Sequence, residues 1–202
     1  MGKPVKIAAI LMASGYGKRF GCNKLLTPFQ GRPLIETVMD SLPAGQFSKV
    51  AVVTRYPEIA ACAARHHFSV VENTSLEDDT AQTIRMGLEA VPEAEGYMFF
   101  VCDQPLLRPR TISLLCDAFA ETPEQIIIPT CQGQPGNPII FPKSLRGALA
   151  SLPPNHGGKH VIKAYPQLLR NFPCGEPWEF IDADRPEILE EIQQLAIIHP
   201  NV

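Results

Sequence analysis

The sequence lacks three features that would each indicate a particular class of protein. It has no apolar run near the roughly 20 residues that cross a bilayer, no excess of positive charge and no C-x-x-C pair. The formal net charge of −3 argues against a dedicated nucleic-acid binder and leaves room only for a local basic pocket. The first residues, MGKPVK, lead into an apolar segment without the hydrophobic region of a signal peptide, so a cytoplasmic protein is expected.

The pattern of cysteines also favours a cytoplasmic protein. The six cysteines are scattered, which fits reduced thiols better than a disulfide framework or a zinc site. Two of them, Cys22 and Cys102, lie inside motifs discussed below. With 202 residues, 45% hydrophobic and 19% charged residues, and no repeats, the chain is expected to form one domain, 1–202, with a single core.

Hydrophobic periodicity predicts an α/β fold. Short apolar runs typical of buried strands alternate with segments whose apolar residues recur every three or four positions. This alternation predicts a Rossmann-like, mostly parallel twisted sheet with helices on both faces. Strands are expected at Val5–Met12, Lys49–Thr54, Ser69–Val71, Tyr97–Cys102 and Gln125–Pro129, and helices at Leu34–Ser41, Glu58–His66, Ala81–Val91 and Arg110–Ala120.

The pattern changes after residue 129. The turn-rich stretch CQGQPGNPIIFP predicts a small lid-like β insertion that closes on a strand at Ile139–Phe141. A helix is expected to begin near Lys143, and another to run from the PNHGGK segment through Leu169. The last elements are predicted as a strand at Trp178–Ile181 and a helix at Pro186–Leu195, with Asp184 as the helix N-cap.

The stretch that follows the first strand, LMASGYGKRFGCNK at 11–24, has the composition of a loop for polyanions. Glycines let backbone N–H groups approach phosphate oxygens, and lysine and arginine supply compensating charge. Two known phosphate loops fail on spacing. The glycines read G-x-G-x-x-x-G rather than G-x-G-x-x-G, and no lysine stands in a Walker sequence.

The same stretch, L-x-A-x-G-x-G-x-R-F-G-x-N-K, resembles the L-A-A-G-x-S-x-R-M-G-x-x-K signature of nucleotidyltransferases of the sugar-nucleotide pyrophosphorylase type. Within them it looks most like the molybdenum cofactor cytidylyltransferases. The resemblance implies that the loop wraps the triphosphate and base, with Arg19 and Lys24 as catalytic phosphate contacts. The nucleotide-binding residues it implies are Leu11, Ala13, Ser14, Gly15, Gly17, Arg19, Lys24, Thr80, Thr83 and Asp103.

Two acidic motifs imply a metal site. In VCDQPLL, Asp103 follows a buried strand and stands where the family's G-D-Q-P aspartate holds Mg²⁺, although Cys102 replaces the usual glycine. In WEFIDADRPEIL, similar enzymes place a second metal-binding aspartate, here Asp182. That choice leaves Asp184 for capping, and the reverse assignment stays open. By resemblance, Asp103 is also catalytic.

Two further motifs imply residues that bind the acceptor substrate. GQPGNPIIF resembles the family's G-x-x-G-H-P-[VI]-x-F segment, and Asn137 replaces its histidine, which removes a titratable group. NHGGK resembles a turn near the pterin substrate, with Asn155 in place of aspartate. The acceptor-binding residues implied are Gln104, Gly136, Asn137, Pro138 and Lys159. On this basis about 1–129 form a nucleotide-binding half and about 130–202 an acceptor-binding half.

The DDTAQTIRMGL segment resembles the family's helix start beside the nucleotide. There, Thr80, Gln82 and Thr83 are candidates for base or ribose contacts, and Arg85 for a phosphate contact. An ordinary helix with two aspartates before its first turn would look the same.

The resemblance therefore implies a Mg²⁺-dependent enzyme that transfers CMP from CTP to the terminal phosphate of a molybdopterin-type cofactor and releases pyrophosphate. A molybdenum hydroxylase or its maturation factor is a possible partner. Two alternatives stay open. One is a sister enzyme that uses GTP or another NTP, or a sugar or polyol phosphate. The other is a non-catalytic accessory protein that binds nucleotide or cofactor.

Overall fold

A computed structural model describes residues 5–16 and 23–199. In this part of the chain ten strands alternate with seven α-helices. The strands are β1 Ile7–Ala13, β2 Pro28–Phe29, β3 Arg32–Pro33, β4 Lys49–Thr54, β5 Ser69–Glu72, β6 Gly96–Phe100, β7 Ile126–Cys131, β8 Gln134–Pro135, β9 Ile139–Pro142 and β10 Leu169–Pro173. The helices are α1 Leu34–Asp40, α2 Pro57–Arg65, α3 Thr80–Ala90, α4 Pro109–Glu121, α5 Arg146–Ala150, α6 Gly158–Ala164 and α7 Pro186–Ile198.

Eight strands form one sheet in the order β10-β7-β9-β6-β1-β4-β5, with β8 paired to β7. The pairs β6–β1, β1–β4, β4–β5 and β7–β10 are parallel, whereas β9 runs antiparallel to both β6 and β7. The α/β fold with a mostly parallel sheet is therefore confirmed. The small β2–β3 hairpin is a separate two-stranded sheet.

Two apolar layers cover the two faces of this sheet. On β1, Ile7, Ala9 and Leu11 join a cluster with residues of α1, α2, α4 and α7, while Ala8 and Ile10 join a cluster with α3, α5 and α6. This period of two, with both faces buried, is why the strand reads as a continuous apolar run.

Three elements differ from the sequence prediction. Residues 177–180 form a short 3₁₀ helix instead of a strand, because Glu176 and Glu179 form a capping box and Pro177 takes the first helical position. The helix predicted to reach Leu169 ends at Ala164, since Pro166 cannot continue it, and Leu169 begins β10. The strand expected to close the lid-like insertion, β9, lies inside the main sheet, and only β8 forms a small hairpin with β7.

Within residues 5–16 and 23–199, none of the helices has the length and apolar character needed to span a bilayer.

Candidate active site

A lysine and three aspartates meet where β1 and β6 end. Lys24 donates from Nζ to Asp103 Oδ2 at 2.5 Å and to Asp184 Oδ1 at 3.0 Å. Lys24 begins a short 3₁₀ helix, Lys24–Leu26, that is fixed by the Asn23 side chain, whose Oδ1 accepts from Leu25 N at 3.0 Å. Residues far apart in sequence therefore form one charged cluster, named here the acid–lysine cluster: Lys24, Asp103, Asp182 and Asp184.

Hydrogen bonds with Asp103 and Gln104 hold the acidic segment 182–184 near the end of β6. The Ala183 N–H donates to the Asp103 carbonyl at 2.8 Å. Gln104 Nε2 donates to Asp182 Oδ1 at 2.8 Å and to the Phe180 carbonyl at 3.2 Å. Gln104, predicted as an acceptor-binding residue, thus orients Asp182 as well as lining a cavity described below.

Glu179 anchors this segment to α4. Its side chain is buried, with Oε2 accepting from Thr111 Oγ1 at 2.6 Å and from Arg108 N at 3.1 Å. Oε1 accepts from Glu176 N at 2.9 Å. The sequence prediction missed this role, although the E-P-W-E spacing of a capping box was the available signal.

The cluster carries more negative than positive charge, and the pKa values reflect it. Burial raises the pKa of Asp182 to about 6, and the neighbouring charge of Asp103 adds to the effect. Burial also raises the pKa of Asp103, which the Lys24 ammonium only partly offsets. For Lys24, burial lowers the pKa, but Asp103 and Asp184 outweigh it, so the net pKa is raised and the ammonium stays protonated.

One oxygen of the cluster has no protein partner. Asp103 is 8% exposed, and its Oδ1 is buried without a hydrogen bond to any described residue. A buried carboxylate oxygen of this kind, close to two further aspartates, has the donor chemistry that hard divalent cations prefer.

Asp184 does not cap the last helix. The N-cap of α7 is Arg185, without a side-chain capping bond, and the Asp184 carboxylate faces Lys24 instead. The prediction of Asp184 as the N-cap is therefore wrong. The ion pair with a lysine 160 positions away outweighs the local capping preference, and no local pattern could reveal it.

A small cavity lies between the start of the first loop and the first turn of α3. Its volume is about 210 Å³, and its lining includes four predicted nucleotide-binding residues, Ser14, Gly15, Thr80 and Thr83. Met12, Asp78, Asp79 and Val101 complete it. The Ser14 hydroxyl is turned inward and donates to the Val53 carbonyl at 3.0 Å.

Two residues predicted to bind nucleotide lie in the core. Leu11 and Ala13 have no exposed surface, because Leu11 is in the middle of β1 between β4 and β6 and Ala13 ends the strand. The structure therefore does not bring their side chains to the cavity. Gly17, predicted to bind nucleotide, and Arg19, predicted as a phosphate contact, lie outside the described residues.

Arg55 holds the start of the loop in place. It donates from Nε to the Ser14 carbonyl at 2.7 Å, and from its two terminal nitrogens to the carbonyls of Ser75 at 2.8 Å and Glu77 at 2.9 Å. Its guanidinium also lies 4.0 Å from the centre of the Tyr16 ring. The sequence prediction assigned no role to Arg55, since only the fold brings these segments together.

Asp79, the second of the two aspartates before α3, has a structural role. Asp79 is the N-cap of α3, with Oδ1 accepting from Ala81 N at 2.9 Å and from Asn155 N at 2.8 Å. Arg85, considered as a phosphate contact, donates to Asp79 Oδ2, Gln82 Oε1 and the Leu152 carbonyl. Its protein contacts therefore account for Arg85 without a phosphate.

A larger cavity, about 490 Å³, is lined in part by Asp182 of the cluster. Its lining contains four of the five predicted acceptor-binding residues, Gln104, Gly136, Asn137 and Lys159. Asn137 and Lys159 also line an adjoining cavity of about 360 Å³. The fifth, Pro138, is buried and follows Asn137 through a cis peptide bond. Lys163 and Asn171 line the larger cavity and were not predicted.

Gly136 is required by close packing. A Cβ at this position would lie 2.8 Å from Phe180 Cδ1, so a larger residue would push the aromatic ring that forms part of the cavity wall.

A comparison of the sequence with protein families defines the class of the protein, a nucleotidyltransferase, and the sheet topology and the acid–lysine cluster are consistent with it. The sequence model of the MobA-like NTP transferase domain matches residues 9–169, and the chain belongs to that family.

The individual proteins and structures that resemble this chain share only about a quarter or less of its residues. A probable molybdenum cofactor guanylyltransferase from Natranaerobius thermophilus is 26% identical over 129 residues, which is 63% of this chain and 62% of that protein. Nicotine blue oxidoreductase from Paenarthrobacter nicotinovorans is 24% identical over 197 residues, covering 90% and 93% of the two chains. A nucleotidyl transferase structure from Methanothermobacter superposes with a TM-score of 0.81 at 18% identity, over 96% of this chain and 99% of that chain, which shows a shared fold.

Proposed function

We propose that the protein transfers a nucleoside monophosphate from an NTP to the terminal phosphate of a molybdopterin-type cofactor, with release of pyrophosphate. The observation that carries the proposal is the acid–lysine cluster, whose Asp182 lines the larger cavity. The cavity of about 360 Å³ shares Asn137 and Lys159 with the larger cavity and Thr80 and Val101 with the small one, so the three cavities adjoin one another. This arrangement suits two phosphorylated substrates that must meet at one edge of a sheet.

The reaction joins an oxygen of the acceptor phosphate to the α-phosphorus of the NTP and breaks the bond to the β-phosphate. Because the acceptor phosphate is already an anion, the chain needs to supply no strong base, which agrees with the neutral Asn137 in the acceptor cavity. In this proposal the protonated Lys24 neutralises charge on the phosphates, and Lys159, which lines the larger cavity, holds the acceptor.

Mg²⁺ is part of the proposal, with Asp103 and Asp182 as its protein ligands. The fit rests on the partnerless buried Oδ1 of Asp103 and on the surplus of carboxylates over cations in the cluster. Bound there, the ion would supply electrostatic stabilisation of phosphate oxygens. Asp182 is the second ligand in the proposal because the resemblance implies it, while Asp184 pairs with Lys24 and would hold that lysine beside Asp103.

The proposed nucleotide is CTP, from the likeness of the first loop to cytidylyltransferases. GTP is the second candidate, because the relative from Natranaerobius thermophilus is named a probable guanylyltransferase. Competition between CTP and GTP for the purified protein discriminates the two, since the preferred nucleotide must displace the other at lower concentration.

The decisive experiment incubates the purified protein with Mg²⁺, molybdopterin-type cofactor and each NTP in turn, and measures pyrophosphate. We expect release with CTP. Release only with GTP, or only with a sugar or polyol phosphate as acceptor, would redirect the proposal to the sister enzymes. Nucleotide binding without pyrophosphate release for any pair would favour a non-catalytic accessory protein. A molybdenum hydroxylase or its maturation factor as recipient of the product stays a prediction.

The matched variants are Asp103→Asn and Asp117→Asn. Asp103→Asn keeps the shape of the side chain but removes its charge, so we expect a loss of about a hundredfold in rate. Asp117 is exposed on α4, and its amide variant should retain the rate of the unchanged protein. Near-normal activity of Asp103→Asn would remove Asp103 from the reaction.

A further inference from the structure

A second group of metal-ligand side chains lies on α1 and α2, away from the acid–lysine cluster. Glu36 and Asp40 are four residues apart on α1, and Cys62 and His66 are four residues apart at the end of α2. Side chains at this spacing lie on the same helix face. The two pairs face each other, and none of the four residues lines the three cavities described above.

The donor atoms are close enough to share one ion. One ligand atom each from Glu36, Cys62 and His66 lie within 4.8 Å of one another. Asp40 Oδ1 is 3.5 Å from His66 Nε2, where it can complete or orient the set. Cys62 is buried at 3% exposure, whereas the side chains of Glu36 and His66 are 24% and 21% exposed, so the group is open to solvent on one side.

Two arginines now balance the acids. Arg65 Nη2 donates to Glu36 Oε1 at 2.9 Å, and Arg32 pairs with Asp40. The Arg65 side chain is 60% exposed, so a bound cation can replace it at small cost, because exposed ion pairs contribute little. Burial raises the pKa of the Cys62 thiol, and the charge of Glu36 raises it further, which is the electrostatic environment that a cation relieves.

We propose that Glu36, Cys62 and His66 form a zinc site that links α1 to α2, with Asp40 as its supporting carboxylate. Thiolate, imidazole and carboxylate together match the ligand preference of Zn²⁺, while Mg²⁺ prefers oxygen ligands alone. On binding, the Cys62 thiol releases its proton to solvent, the thiolate coordinates the ion, and Arg65 leaves Glu36. This site is separate from the proposed magnesium site in both position and ligand chemistry.

The test is a Zn²⁺ titration of the purified protein against a chelating indicator, in excess Mg²⁺ and in the Asp103→Asn background to suppress binding at the acid–lysine cluster. We expect one Zn²⁺ per chain. Because each variant removes a ligand, Cys62→Ser and His66→Ala should each weaken binding by about tenfold or more. Cys116→Ser is the matched control, since Cys116 is also a buried helix cysteine, and it should bind Zn²⁺ as the parent does.

A spectroscopic readout tests the thiolate directly. Co²⁺ added in place of Zn²⁺ should give a thiolate-to-cobalt charge-transfer band that Cys62→Ser abolishes and Cys116→Ser retains. If Cys62→Ser fails to fold, His66→Ala and Glu36→Gln carry the test, because both residues are only partly buried. Equal Zn²⁺ affinity in the parent and His66→Ala, or a cobalt band that survives in Cys62→Ser, would overturn the proposal.

Discussion

At the residue scale, Cys102 occupies a backbone position that favours glycine. Its φ is +68°, in the left-handed region, while its side chain is buried at 2% exposure. The turn that directs Asp103 into the cluster needs this positive φ, which explains why similar enzymes usually have glycine at this position. In this chain the residue with the strained backbone is a cysteine whose side chain is buried.

Substitutions at this position should invert the usual order of glycine and alanine. The unfolding free energy of Cys102→Gly should exceed that of Cys102→Ala by about 1 kcal/mol, because alanine keeps the left-handed strain and glycine removes it. Equilibrium urea unfolding measures the difference. An alanine variant more stable than the glycine variant would show that the turn costs nothing.

A second pair of substitutions tests close packing between α3 and β1. A Cβ on Gly87 would lie 2.4 Å from Ile10 Cγ2, in the core, whereas a Cβ on Gly147 of α5 meets nothing within 4 Å. We expect Gly87→Ala to destabilise the protein by about 1–3 kcal/mol and Gly147→Ala to stabilise it by about 0.5–1 kcal/mol. Thermal or urea unfolding checks both, and a stabilising Gly87→Ala would contradict the close approach.

At the scale of elements, Arg55 connects three segments around the small cavity. It joins the end of β4 to the start of the first loop and to the segment before α3, through three main-chain carbonyls. The Tyr16 hydroxyl adds a bond to the Leu76 carbonyl at 3.0 Å, and the Tyr56 hydroxyl one to the Gly15 carbonyl at 3.0 Å. These contacts join the two segments, at 14–15 and 78–79, that line parts of the small cavity.

Arg55→Ala should therefore loosen both walls of that cavity. We expect a loss of about 2 kcal/mol in unfolding free energy, because a charged donor to three carbonyls is removed. Hydrogen exchange at the amides of 73–79 should increase, while that of the central strand β1 stays slow. Arg110→Ala, at an exposed position on α4, is the control, and unchanged exchange at 73–79 in Arg55→Ala would show that the arginine does not fix the segment.

The elements differ in how far the sequence could predict them. The buried strands and amphipathic helices were predictable because their apolar period is local. The pairing of β10 with β7 and the 3₁₀ turn at 177–180 depend on distant partners or on a capping box that competes with an apolar pattern. In the site, Lys24 and Asp103 follow from motifs. The contacts of Asp184 and Arg55 join segments that only the folded sheet brings together.

At the scale of the whole molecule, Asp79 connects the two halves inferred from the motifs. Its carboxylate accepts from the Asn155 main chain and pairs with Arg85, which in turn reaches the Leu152 carbonyl. Asn155 has a φ of +62°, which asparagine adopts more readily than most residues. The two predicted halves thus share hydrogen bonds as well as one sheet.

Acid should weaken this connection. Burial acts to raise the pKa of Asp79, but the hydrogen bonds from Asn155 and Ala81 and the charge of Arg85 outweigh it, so the pKa is lowered from its ordinary value of 3.8. The stabilisation is therefore present above about pH 4 and is lost as the pH falls through the lower folded-state value.

Asp79→Asn should show a smaller loss of stability between about pH 6 and about pH 3 than the unchanged protein does, because the variant has no carboxylate to protonate. Urea unfolding at several pH values measures it, and Asp117→Asn at an exposed position of α4 is the control. Identical pH profiles for the Asp79→Asn variant and the unchanged protein would show that this carboxylate contributes nothing to acid sensitivity.

The antiparallel strand β9 also has a consequence for the order of events on the ribosome. Strand β6 pairs with β1 on one side, and its other neighbour is β9, which is made only after the whole of α4 and β7. Until residues 139–142 emerge, a nascent chain presents the apolar edge of β6 without a partner, and unpaired apolar edges recruit other chains. Chaperone demand during synthesis should therefore peak in that interval and fall once β9 has entered the sheet.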